Sequence, residues 1–171
     1  ALTGGREFDL GNSPREFTPA RVAGKFIVTT TTNGTRALRA CAGAEEVVVG
    51  SLLNLSATAR HLGSRPRKQI CLVCAGTGEE AALEDLLAAG ALCEQLKSIE
   101  PTLEFRDSAV IAQGAFLQAR PNLADAIGQS RNARQLLRLP ELHDDVGFCL
   151  RLDAFDLVAV SDANGVVRRL A

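Results

Sequence analysis

Phe26-Ile27-Val28-Thr29-Thr30-Thr31-Thr32-Asn33-Gly34-Thr35-Arg36-Ala37-Leu38 decides how this chain is read. Its first residues are apolar and β-branched, which predicts a strand. Asn33-Gly34 is a turn dipeptide that tolerates positive φ. Thr35 can cap a helix continued by Ala37, Leu38 and Ala40. A helix start presents N–H groups without intrahelical acceptors at the positive end of the helix dipole, so it attracts anions. Threonine hydroxyls, the Asn33 amide and the Arg36 guanidinium crowd this point. The stretch reads as an oxyanion site for phosphate, with Thr31, Asn33, Gly34, Thr35 and Arg36 as its contacts. Spacing alone supports a plain strand-turn-helix corner equally well, because the stretch matches neither G-x-x-x-x-G-K-[ST] nor G-x-G-x-x-G.

Outward from this stretch, the pattern repeats. Strand Lys25–Thr31 leads to helix Thr35–Ala42, strand Glu46–Val49 to helix Leu53–Leu62, and strand Gln69–Cys74 to helix Glu80–Lys97. Strand and helix alternate about every twenty residues, the pattern of βαβ units. The strands are nearly continuous apolar runs, as in a sheet covered on both faces. The expected fold is α/β: a mainly parallel sheet of repeated βα units with helices on both faces. A C-terminal β-hairpin follows, with arms Phe155–Val160 and Val166–Leu170 around an Asp162-Ala163-Asn164-Gly165 turn. Between them, residues 107–139 are helical in pattern, interrupted at Pro121, and 142–151 reads as a last helix.

Bulk properties narrow the function. The 171 residues suffice for one domain with a proper core. The net charge is −1, and neither a basic stripe nor a Tyr or Trp stacking platform argues for nucleic acid. No apolar run approaches membrane-spanning length, and no signal peptide is visible. Five cysteines, an odd count, do not suggest a secreted disulfide framework. The expected location is the cytoplasm. The chain has no Met and begins at Ala1, which reads as a piece of a longer chain.

Ligands of open α/β sheets bind at the carboxyl ends of strands. The loops expected there are Thr32-Asn33-Gly34, Gly50-Ser51 with Asn54 beyond, and Ala75-Gly76-Thr77-Gly78-Glu79. Their convergence supports a phosphate site, although short αβ turns use such residues anyway. Cys71-Leu72-Val73-Cys74 has C-x-x-C spacing, but side chains alternate along a strand, so the two sulfurs point apart and a zinc or redox pair is not expected. Cys74 alone, at the strand end, is either a small buried residue or a partly ionised thiol beside helix N-termini. Thr77 with Glu80 fits a capping box for the long helix. Glu84 and Asp85 lie one turn in, about 100° apart around the helix, so both cannot face one small ion squarely. Asn12-Ser13-Pro14-Arg15-Glu16 places donors, a cation and a carboxylate together, or else is a Ser-Pro turn opening a short helix. His61 and His143 are expected at helix surfaces, and no Ser-His-Asp set can be assembled from them.

Asp9 to Glu16, then Thr29 to Leu38, resemble the 2-phosphosulfolactate phosphatase family. Cys74-Ala75-Gly76, Leu83-Glu84-Asp85, Ala89-Gly90, Asp145-Val146, Phe148-Cys149 and Leu152-Asp153 fit the same family in order. One family segment, an apolar strand ending in an Asp-Val-Leu-Arg-Ala-like turn, has no counterpart here. The resemblance implies that residues 1–171 are a single α/β domain, the C-terminal part of a longer family chain. It implies magnesium-dependent hydrolysis of 2-phospho-3-sulfolactate to 3-sulfolactate, a step towards coenzyme M. The catalytic candidates it implies are Glu16, Asn33, Cys74 and Asp85. Substrate contacts would be Asn12, Ser13, Arg15, Thr31, Gly34, Thr35, Arg36 and Gly76, and Glu84 and Asp85 would hold Mg2+ directly or through water. The alternatives are a phosphatase of another small phosphoacid and a non-catalytic subunit that binds a phosphorylated metabolite. The expected partner is a small anionic phosphorylated substrate, neither nucleic acid nor membrane. A homo-oligomer, or a partner chain supplying the front segment, is left open.

Overall fold

A computed structural model describes residues 8–66 and 69–170. Residues 1–24 read from the sequence as a polar, turn-rich loop with little regular structure, and of these residues 1–7 lie outside the described residues. A one-turn 3-10 helix at Pro14–Glu16 is followed by α1 (Pro19–Val22), then α2 (Gly34–Ala40), β1 (Val47–Val49) and α3 (Leu55–Gly63). The long α4 (Leu83–Ile99) and α5 (Asp107–Ala119) come next, then α6 (Leu123–Gly128), α7 (Arg131–Leu136) and α8 (His143–Cys149). The chain closes with β2 (Ala159–Ser161) and β3 (Val167–Arg169).

From α2 onward the helices form within a few residues of where the sequence pattern places them, while α1 falls in a stretch that reads as loop. Asn122 caps α6 by accepting from Asp125 N–H, and Ser130 caps α7 by accepting from Ala133 N–H. The core joins Leu52, Leu55, Ala59 and Leu62 to Leu87, Ala91, Leu92 and Leu96, then to Phe116, Ile127 and Ala133. These residues recur at helical spacing and bury the facing stripes of α3, α4 and α5. Helices α4 and α5 meet at Gly90, where a Cβ would lie 2.0 Å from the Ala112 carbonyl oxygen, so only glycine permits the approach. Asn54 fastens the start of α3: its carbonyl accepts from Ser51 N–H, and its amide donates to the carbonyls of Val49 and Leu157. From the chain's end, Asp153 accepts from the Ser56 N–H and hydroxyl at 2.6 and 2.7 Å, which caps the α3 N-terminus.

The sheet differs from the expected one. It has three strands in the order β1-β2-β3, and both pairings are antiparallel. Val48 stands opposite Val160, and Val160 opposite Arg168. The C-terminal hairpin forms as expected around Asp162–Gly165, where Asp162 Oδ1 accepts from Asn164 and Val166 N–H. The mainly parallel sheet of repeated βα units does not form. Residues 25–31 and 69–74 form no strand ladder among the described residues. Apolar, β-branched composition marks a segment as competent for a strand, but a strand exists only where a neighbour supplies the facing N–H and C=O groups. Among the described residues, no helix is long and apolar enough to cross a membrane.

Candidate active site

The 31–36 turn folds on itself. Thr31 Oγ1 accepts from Thr35 N–H at 3.0 Å, and the Thr35 hydroxyl donates to the Thr31 carbonyl at 2.9 Å. Helix α2 therefore starts at Gly34, with Asn33 in the capping position, one residue before the expected Thr35 start. The first-turn N–H groups of Gly34 and Arg36 have no intrahelical acceptor. Asn33 Oδ1 accepts from Gly78 N–H at 3.1 Å, which joins this turn to the glycine loop after residue 74. Arg36 lies 3.9 Å from Glu79, and both side chains are largely exposed, so the guanidinium is only weakly committed.

The glycine loop is held from the other side by α4. Gly76 N–H donates to Asp85 Oδ2 at 2.7 Å. Gly76 has φ +67°, and a Cβ there would meet the Glu80 carbonyl at 2.7 Å, so both conformation and space require glycine. The expected capping box does not form: Thr77 and Glu80 exchange backbone hydrogen bonds as a bridge, and α4 starts only at Leu83. The Glu80 side chain instead pairs with Arg131.

Asp85 and Glu84 sit side by side, both half-buried. Desolvation pushes the Asp85 carboxyl pKa up, and the charge of Glu84 adds to it, against the lowering effect of the Gly76 N–H bond. Asn132 holds Glu84: its Nδ2 donates to Glu84 Oε1 at 2.6 Å and to Thr77 Oγ1 at 2.7 Å. Desolvation raises the Cys74 thiol pKa, and Asp85 raises it further. This opposes the partly ionised alternative for Cys74, and the side chain is exposed, so it is not the small buried residue of the other alternative either.

The 12–16 segment is built differently. Ser13 is buried, and its hydroxyl donates to Asp145 Oδ1 at 2.8 Å. Arg15 Nε donates to the same oxygen at 2.6 Å, while its other nitrogens reach Asp144 and the Glu141 carbonyl. Glu16 Oε2 accepts from Gly11 N–H and Arg21. Ser13 and Arg15 thus pin this segment onto α8, and the Arg15 guanidinium is already occupied.

A cleft of about 2020 Å3 separates the 8–32 segment from the helical body. Of the expected site residues, Asn12, Ser13, Glu16, Thr31, Glu84 and Asp85 line it. Arg15, Asn33, Gly34, Thr35, Arg36, Cys74 and Gly76 lie off its lining, although Asn33 and Gly76 reach the same cluster through Gly78 and Asp85. Gly50 and Ser51 line the cleft too, while Asn54 is spent on backbone. Sequence reading allowed that Arg131 and Asn132 could reach a ligand, but did not connect Asn132 to Glu84 and Thr77, and it missed Asp145 as the anchor of Ser13. Asn132 follows the Ser130 cap by two residues, which places it in the first turn of α7; nothing local in the sequence says that this turn faces α4.

Four carboxylates, Glu79, Glu80, Glu84 and Asp85, face two guanidiniums, Arg36 and Arg131. Among the described residues, no group of three or more His, Cys, Asp or Glu could cage a metal ion. Magnesium does not require such a cage, since it is held by one or two carboxylates with water and substrate phosphate. Glu84 raises the Asp85 carboxyl pKa, so the two acids repel, while backbone donors at Gly76 and Ala75 lower it. Glu84 and Asp85 are hard oxygen donors of the type magnesium takes one or two at a time.

The family model described as 2-phosphosulpholactate phosphatase matches residues 4–164. A protein of Caldanaerobacter subterraneus subsp. tengcongensis named probable 2-phosphosulfolactate phosphatase is 43% identical over 164 residues, 94% of this chain and 65% of its own length. The protein of the same name from Symbiobacterium thermophilum is 39% identical over 94% of this chain and 68% of its own. That from Thermotoga maritima is 38% identical over 93% and 66%. The chain belongs to the 2-phosphosulfolactate phosphatase family. It spans about two thirds of the length of these relatives.

Proposed function

We propose that this chain is the greater part of a magnesium-dependent phosphatase that hydrolyses 2-phospho-3-sulfolactate to 3-sulfolactate, within coenzyme M synthesis. One observation supports this most: the Asn33 turn, the Gly76–Gly78 loop and the Glu84–Asp85 pair are joined by direct hydrogen bonds into one polar cluster beside a cleft. Its substrate bears phosphate, sulfonate and carboxylate, and the cluster carries excess negative charge. A divalent cation between the two resolves the repulsion. When bound, magnesium would neutralise phosphate oxygens and lower the pKa of a bound water. The Gly34 and Arg36 N–H groups and the Arg36 guanidinium would bind phosphate oxygens. Gly76 orients Asp85, and Asn132 orients Glu84. Glu16, which also lines the cleft, would orient a water there. Cys74, exposed and with its thiol pKa raised, takes no catalytic step in this reading.

The test is inorganic phosphate release from 2-phosphosulfolactate and from a panel of other small phosphoacids, with magnesium and with EDTA. It uses the 171-residue chain alone and with the part of the Caldanaerobacter relative outside the match supplied in trans. Magnesium-dependent release with preference for 2-phosphosulfolactate is the expected result. Release indifferent to EDTA, or a preference for another phosphoacid, overturns the cofactor or the substrate assignment respectively. Binding of 2-phosphosulfolactate with no release in either arm indicates a binding subunit instead.

A further inference from the structure

Helix α5 is apolar on both sides. Its inner face buries Ala112 and Phe116 where it crosses α4 at Gly90, and Gln113 Nε2 donates to Glu94 Oε2 at 2.8 Å. With 3.6 residues per turn, the side opposite Ala112 and Phe116 carries Asp107, Val110, Ile111, Gly114, Leu117 and Gln118. All six are exposed. Val110 is 53% exposed, Ile111 64% and Leu117 41%. The outer face of a surface helix ordinarily carries polar and charged residues. Three large aliphatic side chains grouped on such a face mark an interaction surface.

The composition of the face favours one occupant. Gly114 sits at its middle, and no atom lies within 4 Å of where its Cβ would stand. Glycine weakens a helix interior, and nothing within this chain needs the space. At Gly90 the missing side chain lets α5 approach α4 closely. Gly114 offers the same close approach on the outer face. The face also matches its own reverse. Val110 and Leu117 share a midpoint with Asp107 and Arg120, between Gln113 and Gly114. A second α5 laid antiparallel therefore sets Val110 against the partner's Leu117 and Asp107 against the partner's Arg120, each twice by symmetry. Asp107 and Arg120 are exposed and make no ion pair among the described residues. Glu104 and Arg106, just before the helix, offset each other, so Asp107 sets the sign of that end. A partner of unrelated sequence has no need of a face that complements itself; a second copy does.

We infer that the outer face of α5 is the interface of a symmetric homodimer, in which two α5 helices cross antiparallel at Gly114. Val110, Ile111 and Leu117 supply the apolar contact. The two Asp107–Arg120 pairs at the ends fix direction and register, because a parallel or shifted pairing sets like charges together or leaves these charges unmatched.

The test is sedimentation velocity of the 171-residue chain over a concentration series, with circular dichroism of each variant. The unaltered chain is expected to form a reversible dimer. Ile111→Glu and Gly114→Leu are each expected to weaken it at least about tenfold, one by burying a charge and the other by holding the helices apart. Neither is expected to change the circular dichroism, since both positions are exposed in the single chain. Asp107→Arg and Arg120→Asp each set like charges face to face in their own dimers, and each is expected to weaken association about tenfold. An equimolar mixture of these two variants is expected to dimerise as the unaltered chain does, because the mixed dimer has both ion pairs restored. Loss of structure in a single variant would not be repaired by mixing. Four results overturn the proposal: a monomer at every concentration, a dimer that Ile111→Glu or Gly114→Leu leaves intact, charge variants that dimerise as tightly as the unaltered chain, or a mixture no tighter than its components. Association is read without substrate, so its outcome is separate from that of phosphate release.

Discussion

Asn132 Nδ2 lies 2.6 Å from Glu84 Oε1 and 2.7 Å from Thr77 Oγ1, so one amide ties α7 both to α4 and to the glycine loop. Groups that orient a metal-binding carboxylate set metal affinity even though they never touch the ion. Asn132→Ala frees the Glu84 side chain. The magnesium concentration needed for half-maximal phosphate release is expected to rise about 10–100-fold, with a smaller change in rate at saturating magnesium. An unchanged magnesium dependence contradicts the role given to Asn132.

Ser13 and Asp145 are both buried, and their hydrogen bond joins residues far apart in the chain. Ser13→Ala leaves a buried carboxylate oxygen with one fewer donor. Loss of a bond to a charged group costs about 1.5–3 kcal/mol, and urea unfolding is expected to register it. Limited proteolysis is expected to cut residues 8–17 faster than the helical body. Equal cleavage of both would show that the segment is held by something other than this bond.

Gly76 and Gly90 fail differently when replaced. Gly90→Ala drives a methyl into the Ala112 carbonyl in the core, and a loss of at least about 1–3 kcal/mol is expected in thermal or urea unfolding. Gly76→Ala strains only the loop, but moves the N–H that Asp85 accepts from. Phosphate release is expected to fall more steeply than stability for Gly76→Ala, and stability more steeply for Gly90→Ala. A reversed pattern contradicts the placement of Gly76 in the site.

The Thr102 hydroxyl and N–H both donate to Glu100, holding its carboxyl pKa below the usual value. A carboxyl lowered in the folded state stabilises the fold above its unfolded-state pKa, and that contribution fades as pH falls through the folded value. Thr102→Val is expected to raise the Glu100 pKa in a carboxyl NMR titration and to flatten the acid limb of stability. An unmoved Glu100 titration excludes the hydrogen bonds as the cause.

Helices were legible because their signals are local. The Asn122 and Ser130 caps and the apolar stripe from Leu87 to Leu96 appear within a few residues of sequence. The hairpin turn at Asp162–Gly165 is equally local. The sheet was misread because strand order and direction depend on distant partners: Val47–Val49 reads the same whether its neighbour is parallel or, as found, the antiparallel Ala159–Ser161. In the site, the Asn33 turn and the glycine loop announced themselves by composition. Their junction through Gly78, the capture of Arg15 by Asp145, and the reach of Asn132 to Glu84 are long-range contacts. The upward shift of Cys74 was hidden for the same reason, since it depends on burial and on Asp85 nearby.

The central claim is that a phosphorylated anion and magnesium meet at the junction of the Asn33 turn, the glycine loop and the start of α4. The most direct test is a titration of the 15N-labelled chain with 2-phosphosulfolactate and magnesium, followed by amide chemical shifts, since binding is registered with or without turnover. The account predicts saturable shifts at Asn33 to Arg36, at Ala75 to Glu79, and at Asp85 and Asn132, lost with EDTA and in Asp85→Asn. Saturable shifts that spare these residues and map to another part of the surface would contradict it.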